Sequence, residues 1–163
     1  MKVNWHGVFP AITTQFHRDE SLDLEATARH LETLIAAGIH GVVLLGTVGE
    51  NTALEYPEKL AVVKEMLQVA RGRIPVLSGV AEYTTALACR YARDIEKLGV
   101  DGLMALPGMV YKSDTHETLT HFRAVSRSTG LPVMIYNNPV SYGVDLQPDA
   151  FVELAEERNI VAI

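Results

Sequence analysis

Three short segments carry side chains whose types and spacing could do chemistry. Gly46-Thr47-Val48-Gly49-Glu50-Asn51 follows an apolar run. Its two glycines permit a tight turn that can aim backbone N–H groups at a substrate carboxylate, and Thr47 adds a hydroxyl. The same spacing suits a plain glycine turn in which Thr47 bonds its own backbone, and the sequence leaves both readings open. Ile135-Tyr136-Asn137-Asn138-Pro139 closes another apolar run with a phenol. That phenol could transfer protons, or it could be an interior tyrosine satisfied by one hydrogen bond. Pro107-Gly108-Met109-Val110-Tyr111 offers a second phenol, in a loop where a surface tyrosine is the commoner occurrence.

Other chemistries lack their residues. The six histidines, His6, His17, His30, His40, His116 and His121, show no paired ligand spacing with carboxylates or cysteine, so no metal site is expected. His116 and His121 are five apart on one expected helix and do not share a face. No Gly-x-Ser-x-Gly elbow occurs for acyl transfer. The Gly46–Asn51 segment lacks the lysine and spacing of a phosphate loop, and no glycine-rich dinucleotide fingerprint follows the first apolar run.

The elements that must position these groups alternate regularly. Short apolar runs at 7–13, 41–45, 75–80, 102–106, 132–136 and 160–163 read as strands, each nearly continuous in apolar character, as suits strands buried on both faces. Segments of helical period at 24–37, 56–70, 84–98, 115–128 and 148–157 lie between them. Gly38 and Gly99 follow two of these helices in the manner of C-terminal caps, and Thr52 with Glu55 has capping-box spacing ahead of the second. The alternation predicts an α/β fold, a parallel (β/α)8 TIM barrel. Such a barrel needs eight units and about 250 residues, so the chain is expected to cover about the first six strands. Residues 1–163 are read as the N-terminal part of a single TIM-barrel domain. A doubly wound open sheet fits the alternation too, but the loops lack its fingerprint. In a barrel the three segments named first all fall at the C-terminal ends of strands, where active sites lie.

Composition narrows the partners. Apolar residues make up 48% and charged residues 21%, with 14 basic against 20 acidic side chains and no lysine or arginine cluster, which argues against nucleic acid. No apolar run approaches the roughly 18 residues of a membrane span, and no apolar leader precedes Pro10, so a cytoplasmic setting is expected. Cys89 is the one cysteine and sits on a helix face with Leu87, Tyr91 and Ile95, a packing position. A small-molecule partner is the expectation that remains.

With the motifs placed, the chain resembles the dihydrodipicolinate synthase and N-acetylneuraminate lyase family of class I aldolase-like barrels over essentially its whole length. Gly46-Thr47-Val48-Gly49-Glu50 is similar to that family's G-[TS]-T-G-E loop, and Tyr136-Asn137-Asn138-Pro139 to its Y-N-x-P segment. Thr14-Gln15-Phe16, followed by Leu22-Asp23, resembles its T-P-F opening, with Gln15 for the proline. The resemblance implies a class I lyase or hydrolase of 2-oxo acid derivatives in which a lysine on the sixth strand forms a Schiff base with the substrate. No separate cofactor is expected. Tyr136 would shuttle protons, Thr47 would link it to a second tyrosine, here Tyr111, and Gly46, Thr47, Val48, Asn138 and Ser141 would line the substrate. In the family the second tyrosine comes from a neighbouring subunit, so a homotetramer is implied.

The departures bear on chemistry. The family's lysine directly follows a strand like Asn159–Ile163, and the expectation is that it comes immediately after Ile163, cut from the polymer or carrying a trapped 2-oxo acid. Val48 stands where many members have a second threonine, and Ser141 where dihydrodipicolinate synthases have an arginine that grips a second carboxylate. These variants resemble the dehydratase and deaminase branch, including pyrroline-4-hydroxy-2-carboxylate deaminase. A 2-keto-3-deoxy sugar acid aldolase, a dihydrodipicolinate-synthase-like enzyme, and a catalytically inactive sensor or structural member are the alternatives.

Overall fold

The computed structural model describes residues 3–163. Five strands, β1 (Val42–Leu44), β2 (Val76–Val80), β3 (Gly102–Ala105), β4 (Val133–Ile135) and β5 (Ile160–Ala162), form one sheet in sequence order. Every pairing is parallel, with Val43 beside Leu77, Leu103 beside Val133 and Val133 beside Ile160. The expected first strand over 7–13 is reduced to a single parallel bridge between Ala11 and Val43. Val43 donates its N–H to the Pro10 carbonyl at 2.9 Å, and Ile12 donates to the Val43 carbonyl at 3.1 Å. Pro10 has no N–H to extend the ladder, and Gly7 turns the chain away at φ 96°.

The helices are α1 (Leu24–Ala36), α2 (Tyr56–Ala70), α3 (Thr85–Leu98), α4 (Thr115–Arg127), α5 (Pro139–Tyr142) and α6 (Pro148–Leu154). Local chemistry sets their ends. Asp23 accepts the Ala26 N–H at 2.7 Å, Thr84 accepts the Leu87 N–H at 3.2 Å, and Asp114 and Glu117 cap each other reciprocally. Thr52, expected to begin a capping box with Glu55, lies instead in a 3₁₀ turn over Asn51–Ala53. The Glu55 N–H is taken by Glu58 at 2.8 Å, because Pro57 is tolerated only in the first turn. One of these helices, α5, has no counterpart among the five expected. It is a single turn, too short for an apolar stripe to reveal it. Asn138 caps it, Pro139 presets its first turn, and Gly143 ends it at φ 68°. The last helix stops at Leu154 rather than 157, where Arg127 of α4 holds the Glu157 carboxylate at 2.9 Å through its Nε.

Alternate residues of each strand serve two apolar clusters, as the two-residue period of a strand demands. Val42, Leu44, Val76, Leu103, Val133 and Ile135 face the helices, packing with Leu31, Met66, Tyr91 and Phe122. Val43, Leu77, Met104 and Leu106 face the other way, with Phe9, Met134, Tyr136 and Tyr142 packed against them. Ile135 points toward the helices, so Tyr136 must point inward, and this parity positions the site. Among the described residues no helix is long and apolar enough to cross a membrane.

Candidate active site at the carboxyl ends of the strands

β1 delivers its chain into a turn whose shape is over-determined. Leu45 leaves the strand at φ 53°, and the Gly49 and Glu50 N–H groups then bond the Gly46 and Thr47 carbonyls at 3.0 and 3.1 Å. A Cβ on Gly49 would lie 2.9 Å from the Leu45 backbone and 3.1 Å from the Ile12 carbonyl oxygen, so only glycine fits without movement. The Thr14 hydroxyl, 6% exposed, donates to the Gly49 carbonyl at 2.7 Å and pins the turn from beneath. With the Gly49 and Glu50 amides committed, those of Gly46, Thr47 and Val48 have no backbone acceptor among the described residues and are left to meet a carboxylate. The Thr47 hydroxyl does not bond its own backbone; it is hydrogen-bonded to the Tyr142 phenol.

β4 supplies the other wall. Tyr136 donates its backbone N–H to the Ala105 carbonyl at 2.9 Å, which carries the strand's register one residue past β4. Asn138 donates through Nδ2 to the Tyr136 phenol oxygen at 3.1 Å and accepts the Ser141 N–H at 3.1 Å. A phenol oxygen that accepts this bond keeps its own proton free for a substrate atom. The Tyr136 and Tyr142 rings meet edge to face, centroids 6.0 Å apart. Asn137 exchanges hydrogen bonds with the Leu146 backbone at 3.2 and 3.3 Å, fixing the chain beyond α5.

Between these walls opens a cavity of about 500 Å³ with Thr47, Tyr136 and Asn137 as its polar lining and Phe9, Val43, Val48, Met104 and Met134 as apolar wall. Gly46 and Ile163 border it too. Of the residues singled out in the sequence, Gly46, Thr47, Val48 and Tyr136 thus line one space. Asn138 stands behind Tyr136, and Ser141 is exposed on α5 with its N–H spent on Asn138. Tyr111 lies elsewhere: 61% exposed, it borders a separate cavity of about 160 Å³ with Tyr83, Ser113 and His121. Within this chain Tyr142 lies beside the Thr47 hydroxyl, whereas Tyr111 was expected to reach it from a neighbouring subunit. The signal for Tyr142 was the Asn-Pro start and Gly stop of α5, which bring residue 142 back over the strand ends.

Buried polar groups brace the site from the helix side. The Lys59 ammonium meets the Glu82 carboxylate at 2.7 Å, with 7% and 8% of the side chains exposed. Tyr91, whose ionisation burial pushes up, shares a 2.9 Å hydrogen bond with Ser78 on β2 and stays neutral. Asn51 donates to the Gly79 carbonyl at 3.4 Å, tying the chain after the turn to β2. His121 is 6% exposed beside the Thr85 hydroxyl at 2.9 Å, and burial pulls its basicity down. Among the described residues no group of three or more His, Cys, Asp or Glu side chains could hold a metal ion.

A parallel arc with its polar groups gathered at the strand C-termini defines the class: a TIM-barrel protein with its site at the usual mouth. The chain belongs to the dihydrodipicolinate synthetase family, whose model matches residues 4–163. It is 37% identical over 161 residues to 4-hydroxy-tetrahydrodipicolinate synthase 1 of Halalkalibacterium halodurans, covering 99% of this chain and 55% of that protein. YagE, a prophage protein of the dihydrodipicolinic acid synthase family from E. coli K12 solved in complex with pyruvate, superposes with a TM-score of 0.92 at 31% identity, over 98% of this chain and 54% of that one. The chloride-inhibited dihydrodipicolinate synthase of Acinetobacter baumannii, complexed with pyruvate, gives 0.90 at 33% identity, over 94% and 53%. The chain spans about half the length of the curated relatives it matches.

Proposed function

We propose that this chain is the N-terminal part of a single barrel domain, and that the protein is a Schiff-base-forming lyase acting on a small 2-oxo acid or its cyclic imine. The observation that carries this is that Thr47, Val48 and Tyr136 line one cavity, which Ile163 also borders, with the Thr47 and Val48 amides bonded to no backbone carbonyl among the described residues. Two amides and a hydroxyl suit a carboxylate, and a phenol with a free proton suits acid–base work on the carbon beside it. A lysine directly following Ile163 would reach the same cavity and hold the substrate as an imine, making its carbonyl carbon an electron sink. The pyruvate complexes of the E. coli and A. baumannii relatives support a 2-oxo acid as the ligand class.

Within that class our reading is a dehydratase or deaminase, such as one acting on pyrroline-4-hydroxy-2-carboxylate. It rests on Ser141, uncharged and exposed, and on Val48, which offers the cavity an isopropyl group instead of a hydroxyl. The second reading, a dihydrodipicolinate-synthase-like enzyme, is favoured by the names of the curated relatives at 33–37% identity. Homo-oligomerisation belongs to either reading, since Tyr83, Val110 and Tyr111 are 52%, 86% and 61% exposed on neighbouring loops.

The test is incubation of the intact protein with pyruvate and borohydride, followed by peptide mass spectrometry. A reduced adduct on a lysine next to Ile163 supports the imine. Absence of any adduct sinks it and favours a sensor or structural role. Ammonia release from pyrroline-4-hydroxy-2-carboxylate separates the deaminase from an aldolase, which would instead liberate pyruvate from 2-keto-3-deoxy sugar acids.

A further inference from the structure

We propose that Met104 and Met134 set the selectivity of this cavity, favouring 2-oxo acids or cyclic imines that carry alkyl rather than hydroxyl groups on every carbon except the one bearing the leaving group. The proposal deepens the lyase reading and rests on it. The two methionines are register partners on β3 and β4, and Met134 also pairs with Ala162 of β5. They therefore stand side by side on the inward face of the sheet, with Met134 two residues before Tyr136 on the same strand. Both line the cavity, together with Phe9 and Val43. Met104 reaches under the neighbouring turn as well, since a Cβ on Gly46 would lie 3.4 Å from its terminal methyl. An apolar floor thus runs from the Gly46 turn across to β5, and a carbon chain held between the turn and Tyr136 lies on it.

The polar groups around that floor already have partners. Among the described residues, the polar side chains lining the cavity are Thr47, Tyr136 and Asn137. Asn137 donates through Nδ2 to the Leu146 carbonyl at 3.3 Å and accepts the Leu146 N–H at 3.2 Å. The Thr47 hydroxyl is bonded to the Tyr142 phenol, and the Tyr136 oxygen accepts from Asn138 at 3.1 Å. What remains is the Tyr136 proton, which suits one leaving group, and the Gly46, Thr47 and Val48 amides, which suit one carboxylate. A substrate with those two features is satisfied by this wall. Each further hydroxyl would exchange water for a thioether or a hydrocarbon, and an unpaired hydroxyl in such surroundings weakens binding by about tenfold or more. Methionine suits the alkyl alternative, because its unbranched, polarisable side chain moulds to chains and rings of several shapes.

The test offers the full-length protein an equal mixture of 2-oxobutanoate and hydroxypyruvate, traps imines with borohydride, and reads the two lysine adducts by mass spectrometry. The acids differ only in a methyl or a hydroxyl on the carbon beside the carbonyl, and neither carries a leaving group there. The same mixture trapped on Nα-acetyl-lysine gives the ratio set by carbonyl reactivity alone. The wild type should raise the proportion of 2-oxobutanoate adduct about tenfold or more above that reference. Met134→Gln, which puts an amide in the floor, should bring the ratio back several-fold toward the reference, and Met104→Gln should act in the same direction. Met134→Leu should keep the wild-type ratio. Both adducts come from one sample, so a partly unfolded variant loses yield without changing the ratio. A wild-type ratio equal to the reference, or one unmoved by both glutamine variants, overturns the proposal and leaves the lyase reading intact, provided that pyruvate alone is trapped. Failure of the wild type to trap pyruvate removes the lyase reading and the selectivity with it.

Discussion

Asn138 and Tyr136 are joined by a 3.1 Å hydrogen bond in which the amide donates to the phenol oxygen, while the same amide's carbonyl oxygen caps α5 through the Ser141 N–H. One side chain therefore orients the phenol and starts the one-turn helix that carries Tyr142. The two duties can be separated by substitution.

Asn138→Asp keeps an oxygen to cap α5 but cannot donate to the phenol, and its charge disfavours a phenolate. Thermal stability should stay near wild type while kcat falls about tenfold or more, a loss of about 1.4 kcal/mol in the transition state. Asn138→Ala should add a stability loss of about 1 kcal/mol from the missing cap. Differential scanning calorimetry with steady-state kinetics reads both, and an Asn138→Asp enzyme of wild-type turnover would show the bond idle.

Thr14→Val tests the support beneath the turn. It preserves shape but leaves the carbonyl of buried Gly49 without its 2.7 Å donor. The expected cost is about 1–3 kcal/mol of stability. KM for the proposed 2-oxo acid substrate should rise as the turn that presents Thr47 and Val48 loses its support. Thr14→Ser should restore both, and failure of the serine to do so would point to packing rather than the hydrogen bond.

Lys59 and Glu82 are paired at 2.7 Å with almost no solvent access. Lys59→Met strands a buried carboxylate, so urea denaturation should reveal a loss of about 3–5 kcal/mol. The double variant Lys59→Met/Glu82→Leu should recover most of it, because an apolar pair removes the uncompensated charge. Equal losses in the single and double variants would mean that the pair's worth lies in its direct attraction.

His121 gives a pH dependence whose sign follows from burial. Its folded-state pKa lies below the unfolded value, so the unfolded chain binds the extra proton first as pH falls. Stability is fully present above the unfolded value of about 6.5 and declines as pH drops from there toward the folded pKa. Glu117, one turn away on α4, borders the same cavity and must be followed in parallel. Chemical denaturation between pH 7.5 and about 5 should show a steeper loss for the wild type than for His121→Asn. Matching slopes would assign the effect to other groups.

Apolar runs of strand length alternating with segments of helical period made the parallel barrel legible, because each pattern matches its element's repeat and little else. The Gly46–Glu50 turn and Tyr136 were legible for a related reason. Each directly follows an apolar run, and the residue after a barrel strand faces the mouth. The capping shift from Thr52 to Glu55 was not, since two candidate caps three residues apart differ only in how Pro57 fits the first turn.

What the sequence by itself determined was periodicity, hence the strands, the helices and the parity that turns Tyr136 inward beside Met134 while Ile135 faces the helices. What only the tertiary structure decided were the partners across long separations. The hydrogen bond between Thr47 and Tyr142 joins residues 95 apart, and the one from Thr14 to Gly49 joins residues 35 apart. Local pattern carries no term for such pairs. Both Tyr111 and Tyr142 follow strands in sequence, but within this chain the one-turn helix α5 brings Tyr142 to Thr47 while the β3–α4 loop leaves Tyr111 in solvent.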